Sequence, residues 1–403
     1  MRRTVLGLLA SGLAALIPGG WSARAATTAQ GRILCYVGGY SRKGSPEDNA
    51  KGISLFEMDP ATGSLSFISV FPDTDNPSFL AISADQRFLY CVNEISDFDS
   101  SHSGAVTAFS IDQATGALKK LNRVSSGGAD PAHLSIHPSG KYVMVANYTG
   151  GSIALFPVRP DGSLGEHTFF YKNSGPKMPE RAADNPPGNY AVSDHSGPHA
   201  HMIRSDPSGK FVLVCDAGLD RVYIWAMDEA EGKLVPAEVP YISMVPGSAP
   251  RHLEFNTRGD VVYILGEQNS RVVVAAFDRT TGRITPGGST STVTDLFRGS
   301  TLAAGIRLHP NGKYLYVTNR LGNSIAIFDV LDNGGLKLHD IVWERADYGR
   351  ALAFDPTGQF LFVTNQKSDS LSIFRVNPSR GIPEFTWDFV PVGTPSDVAF
   401  IRL

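Results

Sequence analysis

The sequence contains few of the features that mark disulfide-rich, membrane-spanning or nucleic-acid-binding proteins. It has three cysteines in 403 residues, and an odd number at wide spacing argues against a disulfide framework. Beyond one apolar run near the start, no stretch approaches the roughly 20 residues that a membrane helix requires. The formal net charge is −3, and no basic run is interleaved with aromatic residues, which argues against nucleic acid as a partner.

The cysteines Cys35, Cys91 and Cys215 each lie in or beside an apolar, strand-like run. None has a cysteine or histidine neighbour at the spacing of metal ligands, so their placement does not predict a metal site. We expect them to be small, buried, hydrophobic side chains.

The N-terminus differs from the rest of the chain. Arg2 and Arg3 precede an apolar run from Val5 to Ile17, and Ala23-Arg24-Ala25 has the small-x-small form that signal peptidase cleaves. We therefore predict a signal peptide over residues 1–25, and the paired arginines suggest the twin-arginine route. The mature domain then spans residues 26–403 and is exported, either to the periplasm or as a secreted protein.

A tight turn that contains proline and glycine recurs along the mature chain. Proline fixes φ and glycine permits positive φ, which together suit a strand-to-strand reversal. The clearest copies are His137 to Tyr142, Asp206 to Phe211, His309 to Tyr314 and Asp355 to Phe360, and weaker ones are Ser83 to Phe88 and Asn256 to Val261.

Short apolar strands flank each turn, and a third alternating strand, a hairpin and a fourth edge strand follow. Units of about 45 to 55 residues with four antiparallel strands and almost no helical periodicity are typical of propeller blades. Six units are complete. A seventh is split, with Ile33 to Tyr40 and Gly52 to Phe71 at one end of the chain and Pro395 to Leu403 at the other. We predict an all-β, seven-bladed β-propeller in which N- and C-terminal strands share one blade, rather than a β-sandwich or two domains.

Aligning the units on their turns predicts which side chains reach the central channel, because equivalent positions lie at equivalent radii. Scaffold positions stay apolar from unit to unit, whereas those at the channel vary among His, Arg, Glu and Tyr. The richest cluster is His201, Arg251, Glu267 and Arg320. Further channel positions, which we predict to bind substrate, are Glu94, His133, Tyr148, His252, Arg350 and Gln366.

A carboxylate and a histidine beside arginines suit acid–base chemistry on an anion with an electrophilic carbonyl. The His or Glu accepts a proton from water, and guanidinium groups hold the anion or the developing oxyanion. A metal site is an alternative, since His133, His201 and His252 share one register, but equivalent atoms of neighbouring blades are too far apart for ligands at about 2 Å. No G-x-S-x-G turn indicates an activated serine.

The chain resembles the seven-bladed lactonase family, which includes the propeller-type 6-phosphogluconolactonase and carboxymuconate cyclase. The resemblance covers nearly the whole mature chain and implies that the catalytic group comprises His199 or His201, Arg251, Glu267 and Arg320. It rests on the runs Asn76 to Ala81, Val92 to Glu94, Asn147 to Ser152, Pro198 to His201, Ala249 to Leu253, Gly266 to Glu267, Thr318 to Arg320 and Thr364 to Gln366.

The chain departs from the family pattern at Gly305 and Arg307, where relatives commonly carry Glu and His, and we expect this to reshape one wall of the pocket. A long insertion from Asn173 to Gly197 ends directly before the P-H-x-H run. Loops of this length are often functional, so we expect a lid. Export also separates the protein from phosphogluconolactone, which is made in the cytosol.

The leading hypothesis is a hydrolase that opens a sugar lactone like 6-phosphogluconolactone, without a cofactor or metal. The expected partner is a small anionic lactone or sugar acid, and the expected state is a monomer or weak oligomer. Two alternatives stay open: a non-catalytic exported propeller that binds an anionic ligand or a protein, and a muconate-type lactone cyclase. Fold alone does not separate them.

Overall fold

The computed structural model describes residues 31–41 and 48–403, and the predicted signal peptide lies outside them. Within the described part the chain is all-β and contains 28 strands, which form seven four-stranded antiparallel sheets. Residues Arg32–Leu403 make up one compact unit. No helix that could cross a membrane occurs among the described residues.

Each sheet is one blade, and we number blades 1 to 6 in chain order and call the seventh the closing blade. In every blade the first strand named below is the innermost. The closing blade contains β28 (Pro395–Arg402), β1 (Ile33–Gly39), β2 (Ile53–Met58) and β3 (Leu65–Phe71). Blade 1 contains β4 (Leu80–Ile82), β5 (Phe88–Asn93), β6 (Ala105–Ile111) and β7 (Leu118–Ser125). Blade 2 contains β8 (Pro131–Ile136), β9 (Tyr142–Asn147), β10 (Ser152–Pro157) and β11 (Phe169–Lys172).

The remaining four blades repeat the same order. Blade 3 contains β12 (Ala200–Ser205), β13 (Phe211–Asp216), β14 (Arg221–Asp228) and β15 (Lys233–Ser243). Blade 4 contains β16 (Pro250–Phe255), β17 (Val261–Gly266), β18 (Arg271–Phe277) and β19 (Ile284–Ser291). Blade 5 contains β20 (Leu302–Leu308), β21 (Tyr314–Arg320), β22 (Ser324–Val330) and β23 (Leu336–Trp343), and blade 6 contains β24 (Gly349–Phe354), β25 (Phe360–Asn365), β26 (Ser370–Val376) and β27 (Pro383–Pro391).

The recurring proline–glycine motif forms the turn between the first and second strands of a blade. In blade 2 the Gly140 N–H donates to the carbonyl of His137 at 2.8 Å, and the His137 N–H donates to the carbonyl of Tyr142 at 2.9 Å. Gly140 has φ 72°, a conformation that costs glycine little and other residues much more. The predicted turn is therefore confirmed as the reversal that fixes the register of the two inner strands.

The ring closes through the pairing of the two ends of the described chain. Strand β28 pairs antiparallel with β1 from Ile33 opposite Arg402 to Gly38 opposite Asp397. The Leu403 N–H also donates to the carbonyl of Arg32 at 2.8 Å. The predicted split blade is thus confirmed, and it removes the open sheet edge that a linear array of blades would expose.

The apolar core consists of clusters that lie between neighbouring blades. The cluster between the closing blade and blade 1, for example, packs Leu34 and Leu55 against Leu80 and Phe109. The described residues contain seven such clusters, one for each pair of adjacent blades around the ring. Cys35, Cys91 and Cys215 are free and buried in them, as the sequence predicts.

Buried tyrosines on second strands connect blades by hydrogen bonds that repeat around the ring. The Tyr90 hydroxyl of blade 1 donates to the carbonyl of Gly162 in blade 2 at 3.0 Å, and the Tyr263 hydroxyl of blade 4 donates to the carbonyl of Gly334 in blade 5 at 3.0 Å. Tyr36 and Tyr316 make the equivalent bonds. Each bond satisfies a hairpin carbonyl that would otherwise be buried without a donor.

We expect Tyr90→Phe to lower the free energy of unfolding by about 1–2 kcal/mol, because it leaves the Gly162 carbonyl without its donor while it removes little apolar contact. Chemical denaturation monitored by circular dichroism measures the change. Tyr190→Phe is the control, since that side chain is 77% exposed, and it should leave stability unchanged. Equal effects of the two substitutions would show that the interblade bond contributes nothing.

Candidate functional site

The candidate site lies at the end of the channel where the innermost strands begin and the second strands end, which we call the mouth. In five blades a residue with positive φ lies just before or at the start of the innermost strand, and its carbonyl accepts the N–H of the residue that directly follows the second strand. The five residues with positive φ are Asn76, Asp130, Ala249, Tyr348 and Thr394. In blade 4 these residues are Ala249, with φ 54°, and Glu267, at 2.8 Å. Such conformations are uncommon outside glycine, and here a repeated backbone bond holds them.

An ion cluster of three side chains forms the centre of the mouth. The Glu267 carboxylate Oε2 lies 2.9 Å from Nε of Arg251, in the same blade, and 2.5 Å from a terminal nitrogen of Arg320 in blade 5. Arg251 also donates to the carbonyl of Ala304 at 2.5 Å. Because Arg251 is 2% exposed and Arg320 5%, solvent screens this cluster very little.

The cluster sets the charge states of its members. Burial would raise the pKa of the Glu267 carboxyl, but the charges of Arg320 and Arg251 outweigh it and lower that pKa below its ordinary value. Burial, together with the charges of Arg320 and Arg350, lowers the pKa of Arg251 to about 9. The cluster is therefore one carboxylate between two guanidinium groups near neutral pH, with a net charge of +1.

The long insertion that ends at Gly197 forms one wall of the mouth. Its Ser193 hydroxyl donates to Oε1 of Glu267 at 2.8 Å, so both carboxylate oxygens are occupied. The Gln268 side chain accepts the Ser193 N–H at 2.6 Å and donates to the carbonyl of Ala191 at 2.8 Å. The insertion predicted as a lid is thus bound to blade 4 by several hydrogen bonds and contributes a side chain to the site.

His199 stands at the point where the insertion meets blade 3. Its Nδ1 lies 3.1 Å from the carbonyl of Tyr148, whose ring stacks on the imidazole at 4.6 Å. Its Nε2 lies 3.3 Å from both the Ser196 hydroxyl and the Asp194 carboxylate. Serine and aspartate share one imidazole nitrogen, whereas a Ser-His-Asp triad requires them on opposite nitrogens. The group therefore does not form a triad.

Below the ion cluster, a layer of imidazole rings fills the channel. The ring centroid of His201 lies 5.1 Å from that of His252, and His252 lies 5.6 Å from His133. Burial, followed by the charges of nearby arginines, lowers the pKa of each of these imidazoles well below its ordinary value. The layer is consequently neutral at pH 7, and Nδ1 of His201 is buried without a hydrogen-bond partner among the described residues.

The opposite side of the mouth presents Glu94 and Arg350. The Glu94 carboxylate accepts the hydroxyls of Tyr40 at 2.9 Å and Ser78 at 2.5 Å. The Arg350 guanidinium lies 5.2 Å from the centre of the Tyr40 ring and 3.5 Å from the side-chain oxygen of Gln366. No carboxylate of the described chain lies within ion-pair distance of Arg350, so its charge is available to a ligand.

The structure brings most of the predicted site residues to this mouth and separates a few from it. The residues at the mouth are His199, His201, Arg251, Glu267, Arg320, Glu94, Tyr148, Arg350 and Gln366. His252 and His133 lie in the imidazole layer, and His133 also lines a cavity of about 350 Å³ toward the far end of the channel. The predicted substrate-binding role of these two residues stays a prediction. His201 belongs to the same layer and borders the mouth beside Tyr148, with ring centroids 5.4 Å apart, while Nε2 of His252 lies 3.4 Å from a terminal nitrogen of Arg251.

Two expectations need correction, one drawn from the family pattern and one from the register. Arg307 does not reshape the pocket at the mouth, because it lines the far cavity and lies 3.6 Å from Glu254, which also pairs with Arg204 at 2.8 Å. The repeat alignment places approximately Gly39 of the closing blade at the position that Glu94 occupies in blade 1, whereas the structure places Tyr40 there, directly after β1. A bulge between Gly38 and Gly39 shifts the register by one residue.

Three residues that the sequence did not predict also contact the candidate site: Ser193, Asp194 and Tyr348. The first two belong to the insertion, which has no counterpart in the other repeats. Tyr348 precedes its inner strand, and its ring lies 5.2 Å from the Arg320 guanidinium. An alignment of repeats contains only positions that every blade shares, so it cannot identify Ser193 and Asp194, which lie in the insertion.

The mouth can bind an anion and stabilise negative charge that develops on an oxygen. Three guanidinium groups, of Arg251, Arg320 and Arg350, face the two carboxylates of Glu267 and Glu94. Guanidinium groups that are fixed before a reaction act most strongly where water is excluded. No group of three His, Cys, Asp or Glu side chains in residues 31–41 and 48–403 is arranged to hold a metal ion.

Comparison with known proteins gives consistent matches along nearly the whole described chain. The family description "Lactonase, 7-bladed beta-propeller" matches residues 34–400. The 6-phosphogluconolactonase of Bacillus subtilis is 28% identical over 325 residues, which cover 80% of this chain and 85% of that protein. The 6-phosphogluconolactonase of Formosa agariphila is 30% identical over 292 residues, covering 71% and 77%. The solved periplasmic gluconolactonase of Pseudomonas aeruginosa is 30% identical, with a TM-score of 0.81, covering 92% and 99%.

We expect Glu267→Gln to lower the free energy of unfolding by about 3–5 kcal/mol at pH 7, because it leaves two buried guanidinium groups unpaired. The pKa of Glu267 is lowered in the folded protein, so its stabilisation is present above the ordinary value of 4.5 and is lost as pH falls through the folded value. The stability gap between the wild type and the variant should therefore narrow in acid. Urea denaturation at several pH values measures it.

Glu254→Gln is the matched control for Glu267→Gln, since Glu254 also lies between two arginines. The side chains of Arg204 and Arg307 are 34% and 32% exposed, and solvent screening makes such pairs weak. The control should lose far less stability. If both variants lose the same amount, burial does not strengthen the cluster at the mouth.

Proposed function

The chain belongs to the seven-bladed β-propeller lactonase family and is a lactone hydrolase, and we propose that it opens an anionic sugar lactone at the channel mouth. The observation that supports the site is the buried Arg251–Glu267–Arg320 cluster beside the neutral imidazole of His201. It combines fixed positive charge with an unprotonated base, which are the two requirements of ester hydrolysis by water.

In the proposed reaction, water attacks the lactone carbonyl carbon and the ring carbon–oxygen bond breaks. Arg320 and Arg251 stabilise the oxyanion that forms on the carbonyl oxygen. The base takes a proton from the attacking water and returns it to the ring oxygen as that oxygen leaves. The product is the open hydroxy acid, so atoms balance with water as the only co-reactant.

His201 is the proposed base. Glu267 is unsuited to this role, because both of its oxygens accept hydrogen bonds or ion pairs and its pKa is lowered. His199 has contacts at both ring nitrogens, and we propose that it positions Tyr148 and the end of the insertion. His201 stays unprotonated at neutral pH and has an unpartnered nitrogen.

The substrate class that we propose is a sugar lactone with a negative group, such as 6-phosphogluconolactone. The named activity of the relatives from Bacillus subtilis and Formosa agariphila and the unpaired charge of Arg350 both favour it. Arginine suits phosphate and carboxylate because its planar group donates two parallel hydrogen bonds. Glu94, Tyr40 and Gln366 are proposed to bind the sugar hydroxyls near Arg350.

Gluconolactone without phosphate is the second candidate. The Pseudomonas aeruginosa neighbour is named a periplasmic gluconolactonase, and residues 1–25 of this chain have the pattern of a signal peptide. We propose export of the mature protein on these two grounds. Export would separate the protein from phosphogluconolactone, which is made in the cytosol, and this favours a lactone without phosphate.

Acid release from both lactones by the purified mature protein tests the function and separates the candidates. Assays near pH 6 keep spontaneous hydrolysis low. If the phosphorylated lactone is the substrate, Arg350→Gln should raise its KM about tenfold or more through loss of a charged hydrogen bond, with little effect on gluconolactone. Arg375→Gln, on the exposed rim over Phe360, is the control and should behave as the wild type.

Absence of turnover of every lactone by a folded protein would contradict the proposed function. Formation of a lactone from a muconate-type acid, without hydrolysis of sugar lactones, would instead identify a cyclase. Equal effects of Arg350→Gln on both sugar lactones would show that Arg350 does not bind the phosphate.

We expect His201→Gln to lower kcat by about 100-fold or more, as loss of a general base commonly does. Because the pKa of His201 lies well below its ordinary value of 6.5, the base is unprotonated above that lowered pKa. The pH profile of kcat/KM for the wild type should therefore stay level from pH 8 to below 6.5. A fall centred near 6.5 would identify an ordinary histidine, and full activity of His201→Gln would exclude His201 as the base.

A further inference from the structure

A second cavity lies on the outer side of the ring, away from the channel mouth. Its volume is about 260 Å³, and it opens between the outer strands of blades 2 and 3. None of the residues that line it is acidic, and none belongs to the mouth. The lining residues are Tyr171, Ser174, Arg221, Tyr223, Trp225, Pro236, Pro240 and Tyr241.

A wide bulge in the fourth strand of blade 3 creates this cavity. Trp225 pairs with Pro236 and Tyr223 pairs with Tyr241, so the four residues 237–240 lie opposite the single residue Ile224. The equivalent irregularity in blade 1 is smaller, with Ala108 opposite Asn122 and Phe109 opposite Lys120. The extra residues move the edge strand away from its neighbour and leave a space that aromatic rings surround.

Four aromatic rings form the walls of the cavity. The Tyr171 ring, from blade 2, lies 4.8 Å from that of Trp225 with an interplanar angle of 67°. The rings of Tyr223 and Tyr241 lie 5.7 Å apart. Tyr171 and Tyr241 are 37% and 38% exposed, so part of their surface faces solvent. Tyrosine and tryptophan combine a large apolar face with a polar edge, which suits ligands that are themselves amphipathic.

One positive charge and one unpaired donor accompany the rings. The Arg221 guanidinium lies 4.2 Å from the centre of the Tyr241 ring and donates to the carbonyl of Ser174 at 3.2 Å. Within the described chain it has no carboxylate partner. Trp225 is 4% exposed, and its buried Nε1 has no hydrogen-bond partner among the described residues. A buried donor without an acceptor is costly, and a ligand oxygen would satisfy it.

We propose that this cavity binds the pyranose ring of a uronic acid. The C–H face of the sugar packs on the exposed ring of Tyr241, the carboxylate accepts hydrogen bonds from Arg221, and a hydroxyl oxygen accepts the N–H of Trp225. The positive charge and the lack of acidic neighbours favour an anion over a neutral sugar. They also disfavour a proline-rich peptide, which would use the aromatic walls but not the charge.

The cavity is separate from the mouth, although both contact the same insertion. Ser174 lies at the start of the insertion, and Arg221 holds its carbonyl. Asp220, next to Arg221, accepts the N–H groups of Gly247 at 2.5 Å and Ala249 at 2.8 Å and lies 3.3 Å from His195 of the insertion. A sugar acid in the cavity therefore binds at the base of the segment that forms one wall of the proposed active site.

Titration of ¹⁵N-labelled mature protein with glucuronate, followed through the tryptophan indole N–H signals, tests the proposal. Trp225→Phe assigns the signal of Trp225, and the signals of Trp343 and Trp387, which are 57% and 83% exposed, serve as internal references. We expect a saturable shift confined to Trp225 in the millimolar range of glucuronate, and binding of glucose at least about tenfold weaker. Because the indole N–H signal of Trp225 reports on the outer cavity that this side chain lines, glucuronate bound at the mouth does not interfere with the measurement.

Arg221→Gln should weaken glucuronate binding about tenfold or more, since it removes a charge-assisted hydrogen bond. Arg271→Gln is the matched control. Arg271 begins β18 as Arg221 begins β14, and it contacts Asp184 of the insertion at 3.5 Å. Because Arg271 does not line the cavity, the Arg271→Gln protein should bind glucuronate as the wild type does. Tyr241→Ala removes the stacking surface and provides a second variant if Arg221→Gln lowers thermal stability.

Several outcomes would overturn the proposal. Equal binding of glucose and glucuronate would show that the charge is not used, and equal binding of acetate would show that the sugar ring is not recognised. A Trp225 shift with a polyproline peptide but not with glucuronate would identify a peptide site instead. No shift at tens of millimolar glucuronate would mean that the cavity does not take a sugar acid.

Discussion

The pairing of β28 with β1 is the constraint on which the rest of the structure depends. The Arg350 guanidinium of blade 6 lies 5.2 Å from the centre of the Tyr40 ring of the closing blade, and this contact at the mouth exists only because the blades form a closed ring. In an open array, the first and last blades would each expose an unpaired inner edge and lose one interblade apolar cluster. Closure also fixes the channel width, which decides that neighbouring blades bring guanidinium and carboxylate groups into contact.

Within that ring the charges are arranged in layers along the channel. Arg251, Glu267 and Arg320 lie at the mouth, neutral imidazoles lie beneath them, and Arg204, Glu254 and Arg307 lie toward the far cavity. Burial is costly for charge and less costly for neutral imidazole, and the rings separate the charged cluster at the mouth from the charged residues of the far cavity. Burial in this layer and the charges of three arginines keep His201 unprotonated, and its proposed role as the base rests on this.

The repeat explains why much of the candidate site was predictable. Equivalent positions in each blade share a backbone environment, so an alignment of turns identified eight residues that the structure places at the mouth, and the family resemblance added His199. The errors arise where the repeat is interrupted. The bulge at Gly38 and Gly39 moves Tyr40 into the channel position. Arg307 lies two residues beyond Gly305 on the same face of β20, so it lines the channel nearer the far end. Ser193 and Asp194 have no counterpart in other blades, and only the docking of the insertion brings them to the site.

By itself, the sequence determined the number of blades, the split blade, the burial of the three cysteines and the register of the channel strands. These properties follow from local turn chemistry and period-2 alternation, which act over a few residues. Only the tertiary structure decided that Glu267 lies between two arginines, that the insertion is bound against blade 4, and that a bulge in β15 opens an aromatic cavity. Those contacts join residues from different strands, blades or the insertion, and their distances depend on how these segments pack together.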